Sequence, residues 1–129
     1  MIPPSHKEIL ESTALAHVAT IGPHGEPQSN PVWFDWDGEF LKFSQTKTRQ
    51  KYHNVQHDPR IAISLVHPKN PYKYLEIRGI VEKIEGDPDL AFINSMAKKY
   101  MGKDKYPGKV KGEERVVIYV RPVHITKMG

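Results

Sequence analysis

Two hydrophobic periods divide this chain into elements. Residues 14–21 (ALAHVATI) form a strand in this reading, bounded by the turn Gly22-Pro23-His24-Gly25. Leu15, Val18 and Ile21 also fit helical spacing, and the turn decides the matter. Glu26 to Trp36 is extended, with an aromatic, β-prone second half. Pro27 and Pro31 interrupt its first half, which places that half at a sheet edge or bulge. Asp37-Gly38 signals a hairpin, with a return strand over 39–44. Arg60 to His67 is a β-branched strand, and Tyr72 to Ile84 is a long one that Gly79 bends or bulges. Arg115 to Arg121 is a last core strand, which Pro122 to Lys127 either extends or follows with another.

Helical spacing governs three other stretches. Ser5-His6-Lys7-Glu8 is a capping-box pattern, predicting a short helix over about residues 4–11. A second helix runs over about 47–56, capped by Thr46 or Thr48. In the third, Asp87 is the cap and Pro88 the first helical position. Leu90, Ile93, Met96, Ala97, Tyr100 and Met101 then form an apolar stripe, and Gly102 is the stop. The count is six strands, joined mainly by hairpin turns and therefore mainly antiparallel. Strand–helix alternation is missing over 14–45, which excludes a doubly wound sheet. The expected fold is mainly β with flanking helices, a small antiparallel barrel in one domain over residues 1–129.

Composition narrows the function classes. The chain has no cysteine, so disulfides, thiolate catalysis and cysteine-bound metals are excluded. A net charge of +4 favours anionic partners, nucleic acid or small polyanions among them. No recognition motif accompanies the basic residues, and nucleic acid is not the expected partner. There is no apolar run long enough for a membrane span and no signal-peptide pattern at the N-terminus, so a soluble, cytoplasmic protein is expected. With 38% hydrophobic residues the chain is somewhat polar, as when apolar surface is shared with a second subunit.

The most informative stretch is Phe43 to Val55. A strand ends in hydroxyl and amide side chains, and a helix begins among Lys47, Arg49 and Lys51. Cations oppose the dipole at a helix N-terminus unless an anion joins them. Free N–H groups, hydroxyls and cations at one helix start suit a phosphate. A solvated basic helix face is the ordinary alternative. Gln28-Ser29-Asn30-Pro31 places short polar side chains beside prolines, either facing a flat heterocycle or lying as a polar edge against water. Tyr72 and Tyr74 share a strand face and suit ring stacking or ordinary cross-strand packing. Trp33, Phe34 and Trp36 suit a core or an interface. His53 and His57 have a metal-compatible spacing, but neighbouring Lys51 and Arg60 argue against it, and no metal site is expected. No glycine-rich nucleotide fingerprint or nucleophile elbow is present.

These residues carry a resemblance. Ala19-Thr20-Ile21 with Gly25 to Phe34, Ser44 through Lys51 to Val55, Asp58 to Ala62, and Tyr74 to Gly79 resemble the pyridoxamine 5'-phosphate oxidase-like flavin and deazaflavin oxidoreductases. The match covers roughly residues 14–84, and the strand at 115–126 fits the same layout. The chain is most similar to the short members that use coenzyme F420. The resemblance implies a six-stranded split β-barrel of the FMN-binding type, a homodimer with cofactor sites at the subunit interface, and hydride transfer to a conjugated small molecule. It implies that Arg49 and Lys51 hold the cofactor phosphate, with Ser44 and Thr46 beside it. Gln28, Ser29, Asn30, Pro31 and Val32 would line the ring, and Tyr72 and Tyr74 would reach across from the second subunit. FMN is the alternative cofactor, and carriage of F420 without turnover the alternative role. No side chain is assigned a catalytic role. The lysine-rich stretch 102–114 has loop composition, suited to attracting an acidic cofactor tail or covering the site, or simply to being solvated.

Overall fold

The computed structural model describes all 129 residues. Its strands are β1 (Ala16–Ile21), β2 (Pro27–Val32), β3 (Asp35–Trp36), β4 (Leu41–Thr46), β5 (Arg60–His67), β6 (Asn70–Gly86) and β7 (Arg115–Met128). The helices are α1 (Lys7–Leu10), α2 (Gln50–His57) and α3 (Ala91–Met101). All strand pairings are antiparallel, in one sheet ordered β2-β1-β5-β6-β7-β4-β3.

That order forces the sheet to curl. β2 and β3 are its two edges, yet only Trp33 and Phe34 separate them in the chain. A flat sheet of seven strands would hold its edges roughly 29 Å apart, at about 4.8 Å per gap. Three peptide units from Val32 to Asp35 span at most about 11 Å. The sheet therefore wraps into a half-barrel with split-barrel topology. Inner faces of the strands supply most of the core: Ala16 and Val18, Leu41 and Phe43, Ile61, Ile63 and Leu65, Leu75 and Ile77, Val116, Ile118 and Val120. Phe34, Ile9, Leu10 and Val55 cap its ends.

Long β6 serves both halves of the barrel because its register with β7 shifts between Arg78 and Gly79 and again between Val81 and Lys83. Gly79 is required at the first shift, where an added Cβ would lie 2.6 Å from the Arg121 carbonyl oxygen. The bulge expected at Gly79 is thus present. The proline-bearing residues 27–32 do form an edge strand, but a regular one, paired with β1 along its whole length. The aromatic half is the irregular part, reduced to the two-residue β3, which makes seven strands where six were expected. Residues 115–128 form one continuous strand.

The helix starts differ from expectation. No capping box forms at Ser5: its hydroxyl meets His6 Nδ1 at 2.8 Å, and Glu8 pairs with Lys73. Buried His6 instead donates from Nε2 to the Met128 carbonyl, 2.8 Å away, tying the N-terminal turn to the end of β7. α2 begins at Gln50 after an extended Arg49, and neither Thr46 nor Thr48 caps it, because their hydroxyls meet each other at 3.0 Å. Asp87 does cap α3, but from farther back. Its carboxylate accepts from the amides of Phe92 and Ile93 at 3.2 and 3.1 Å. Pro88 and Leu90 lie in the preceding turn, with Leu90 at φ 60°. Gly102, at φ 70°, ends the helix as expected.

The C-terminal turn of α3 holds the barrel closed. The Tyr100 hydroxyl donates to the Ala14 carbonyl (2.7 Å) and accepts from the Phe34 amide (3.2 Å). Lys99 Nζ donates to the Phe34 carbonyl at 2.7 Å. Burial pushes the Tyr100 phenol up to about 12, so it stays a donor at all physiological pH. Tyr100→Phe keeps the ring and strands two backbone groups. We expect it to lower unfolding free energy by about 1–3 kcal/mol in denaturant titrations. A change too small to measure would show that the closure is held elsewhere.

Candidate functional site

A cavity of about 700 Å³ opens where β4 runs into α2. β2 and Trp33 form one wall, the start of β7 another, and the loop 102–114 lies across it through Tyr106, Gly108, Val110 and Glu113. Ile93 and Met96 of α3 form its apolar floor.

Seven of the residues expected at the site converge on this cavity: Asn30, Pro31, Val32, Ser44, Thr46, Arg49 and Lys51. Gln28 sits behind it, its amide oxygen 3.4 Å from Asn54 Nδ2. Ser29 is exposed and lines no part of the cavity. Tyr72 and Tyr74 lie near the β5–β6 turn and line no part of this cavity within the same chain; Tyr72 is 80% exposed. Lys47 turns away from the cavity to pair with Glu114 at 3.0 Å. The cationic helix start is therefore Arg49 and Lys51 without Lys47.

Lys51 defines the electrostatics. It is 6% exposed and forms no ion pair. Burial, and then the neighbouring Arg49, hold its ammonium below the usual lysine range. A buried cation without an anion is costly and is normally paired. Here the missing partner would have to come from the cavity. Three aliphatic hydroxyl side chains line the same space, Ser44 on β4, Thr46 at its end and Thr48 just beyond.

Arg115, the first residue of β7, was not among the residues picked out by sequence. It pairs across the ladder with Thr46, donates from Nη1 to Ser44 Oγ at 3.2 Å, and lies over the Tyr106 ring at 4.7 Å. Its buried Nε–H has no hydrogen-bond acceptor. Glu113 Oε1 is 3.3 Å away, close enough to count as an ion pair but outside hydrogen-bonding geometry. Trp33 was expected in a core or an interface, and its ring forms part of the cavity wall. It stacks on Tyr100 (5.2 Å, 9°) and meets Tyr106 edge-on at 5.9 Å. These residues escaped notice because their places depend on pairings between distant segments. The one local sign was an arginine opening a strand after two glutamates.

The lining thus has an anion pole at Arg49, Lys51 and Arg115 and a flat aromatic and backbone wall at Trp33 and β2. β2 is an edge strand, so its outward amides and carbonyls are free to meet a heterocycle. No cluster of three or more histidine, aspartate or glutamate side chains is arranged to hold a metal ion. No helix is long and apolar enough to cross a membrane.

Comparison with known proteins agrees with the fold. The family model described as pyridoxamine 5'-phosphate oxidase matches residues 2–129. A solved structure described as an F420 reductase is 41% identical with a TM-score of 0.87, covering 97% of this chain and 98% of that one. A putative pyridoxamine 5'-phosphate oxidase from Listeria innocua is 23% identical with a TM-score of 0.70, covering 94% and 93%. A conserved hypothetical protein from Mycobacterium tuberculosis is 19% identical with a TM-score of 0.75, covering 99% and 85%. These last two share the fold. A search of curated proteins found no match. With its whole length matched by the family model and a closely similar structure at 41% identity, the chain belongs to the pyridoxamine 5'-phosphate oxidase family.

Proposed function

We propose that this protein is an oxidoreductase that passes a hydride between the deazaflavin coenzyme F420 and a conjugated small-molecule acceptor. The observation that carries this reading is Lys51, a largely buried lysine that lines the cavity without an ionic partner in the protein, set beside Arg49 where β4 meets α2. The similar structure named as an F420 reductase favours the deazaflavin over FMN. Either ring, when bound, supplies the atom that carries the hydride, a carbon in the deazaflavin and a nitrogen in FMN, so the protein need not offer a nucleophile.

The chain's own task is positioning. Arg49 and Lys51 would grip the phosphate, with the Ser44 and Thr46 hydroxyls donating beside them. The free backbone edge of β2 at Asn30 to Val32 would hold one edge of the ring, and the Trp33 side chain would limit its tilt. Tyr106 and Val110, on the loop across the cavity, would exclude water from the reacting face. Holding donor and acceptor in one orientation is the main catalytic contribution such a site makes.

The reading includes a homodimer. On the outer face of β1, β5, β6 and β7, Ala19, Ile21, Ala62, Ile80 and Val123 line a trough of about 420 Å³ rimmed by Arg60 and Arg78. A second chain laid there would remove this apolar surface from water. Exposed Tyr72, together with Tyr74, would then be free to reach towards the partner's cavity. We expect sedimentation velocity to show a dimer for the wild type and a monomer for Ile80→Glu. A wild-type monomer at tens of micromolar would remove the dimer from the proposal.

Direct titration tests the cofactor. Wild-type protein is expected to bind F420 more tightly than FMN, and Arg49→Ala and Lys51→Ala each to weaken F420 binding by about ten- to a hundredfold. Unchanged affinity in both variants would refute the site. The pH dependence has a defined sign. Because the Lys51 pKa lies below the ordinary lysine value of about 10.4, affinity should fall as pH rises through that lowered pKa. In Lys51→Arg the fall should disappear. The ligand-free protein behaves oppositely: its unfolded state binds the proton more tightly, so stability rises with pH between the folded and unfolded values. Tight F420 binding with no oxidation of the reduced cofactor by any acceptor in a broad panel would identify a carrier instead.

A further inference from the structure

We propose that Arg115 is an additional anion-binding residue of the cavity, held in reserve by Glu113, and that a ligand with a second anionic group displaces the Glu113 carboxylate and rests on this guanidinium. The inference builds on the function proposed above and names the feature that selects among ligands at that site.

Three observations converge on Arg115. Its place is fixed by strand pairing: it faces Thr46 across the β4–β7 ladder, so it stands in the wall that leads into the Arg49 and Lys51 helix start. Its side chain is 11% exposed, and its donors are underused. One N–H meets the Ser44 hydroxyl, while buried Nε–H meets nothing. A guanidinium offers five N–H donors suited to a carboxylate or phosphate, and leaving one buried and unpaired is more costly than never burying it.

The third observation is the nature of its present partner. Glu113 belongs to the loop that crosses the cavity. Its Oε1 sits 3.3 Å from Arg115 Nε without completing a hydrogen bond, and the same oxygen is 3.4 Å from the Val110 amide. The loop residue Tyr106 lies under the same guanidinium and against Trp33. The loop therefore carries its own carboxylate to the cation and holds it there imperfectly. A better-aligned ligand anion gains both charge and geometry when it takes that place. The exchange makes and breaks only ionic contacts, and it releases the Glu113 carboxylate to solvent.

The ligand class follows from the chemistry. One anion goes to Arg49 and Lys51, and a second phosphate or carboxylate on the same molecule goes to Arg115. F420 has both, a phosphodiester and a carboxylate-bearing tail. FMN has a single phosphate.

The test compares these two compounds against wild type, Arg115→Met and Glu113→Gln by equilibrium titration, with thermal melts as the folding control. Arg115→Met is expected to weaken F420 by about tenfold or more and FMN by less than about twofold, in line with a lost charge-assisted contact made by one ligand only. Glu113→Gln removes the competing charge and is expected to tighten F420 severalfold, with FMN unchanged. It keeps Arg115 and its bond to Ser44, so it decides the matter even where Arg115→Met fails to fold. Equal losses for both ligands in Arg115→Met, or an F420 affinity that Glu113→Gln leaves unchanged, would overturn this inference and leave the proposed function standing. Failure of wild type to bind either compound would overturn the proposed function, and this inference with it.

Discussion

Everything in this molecule depends on two residues having to join opposite edges of one sheet. Trp33 and Phe34 leave the chain no slack, so the sheet must curl, and curling is what creates an inside. The two side chains then divide the work. Phe34 is fully buried in the core, and Trp33 faces the cavity. The Phe34 amide donates to Tyr100 and the Phe34 carbonyl accepts from Lys99, which fixes the backbone of this link. The aromatic wall of the site and the closure of the barrel are one structural event.

The site is placed by the same curl. β7 lies beside β4 only because the sheet order skips most of the chain between them, and that adjacency delivers Arg115 to the hydroxyl end of β4. The result is a concentration of positive charge in a partly buried space, with Glu113 the one acidic residue in the lining. Such an arrangement is unfavourable in the empty protein. Barrel packing on the far side of β4, through Leu41 and Phe43, holds the cations where they are. Part of the folding free energy is thereby stored as affinity for an anion.

Local chemistry was legible where it is local. The edge position of β2, the bulge at Gly79, the stop at Gly102 and the cationic start of α2 all follow from residue types within a few positions. Six residues of the cavity wall, Asn30, Pro31, Ser44, Thr46, Arg49 and Lys51, were recognisable for the same reason, because β2 and the β4–α2 junction are short continuous stretches, while Val32 came only with the family resemblance. Misreadings arose where a side chain had a better distant partner. Ser5 caps nothing because His6 claims its hydroxyl, and Lys47 leaves the site because Glu114, far along the chain, is within reach. Leu90 looked like the first residue of a helical stripe, but Asp87 reaches past it to the helix amides and leaves it in a left-handed turn. Arg115 was not identifiable without knowing which strand lies next to β4. Tyr72 and Tyr74, read as ring-facing, line no part of the cavity within this chain.

The bond between His6 and the Met128 carbonyl joins residues 122 positions apart. Its donor is fully buried, so the N-terminal turn and the last residues of β7 share one anchor. Breaking this one bond would release the turn before α1 and the last residues of β7 together.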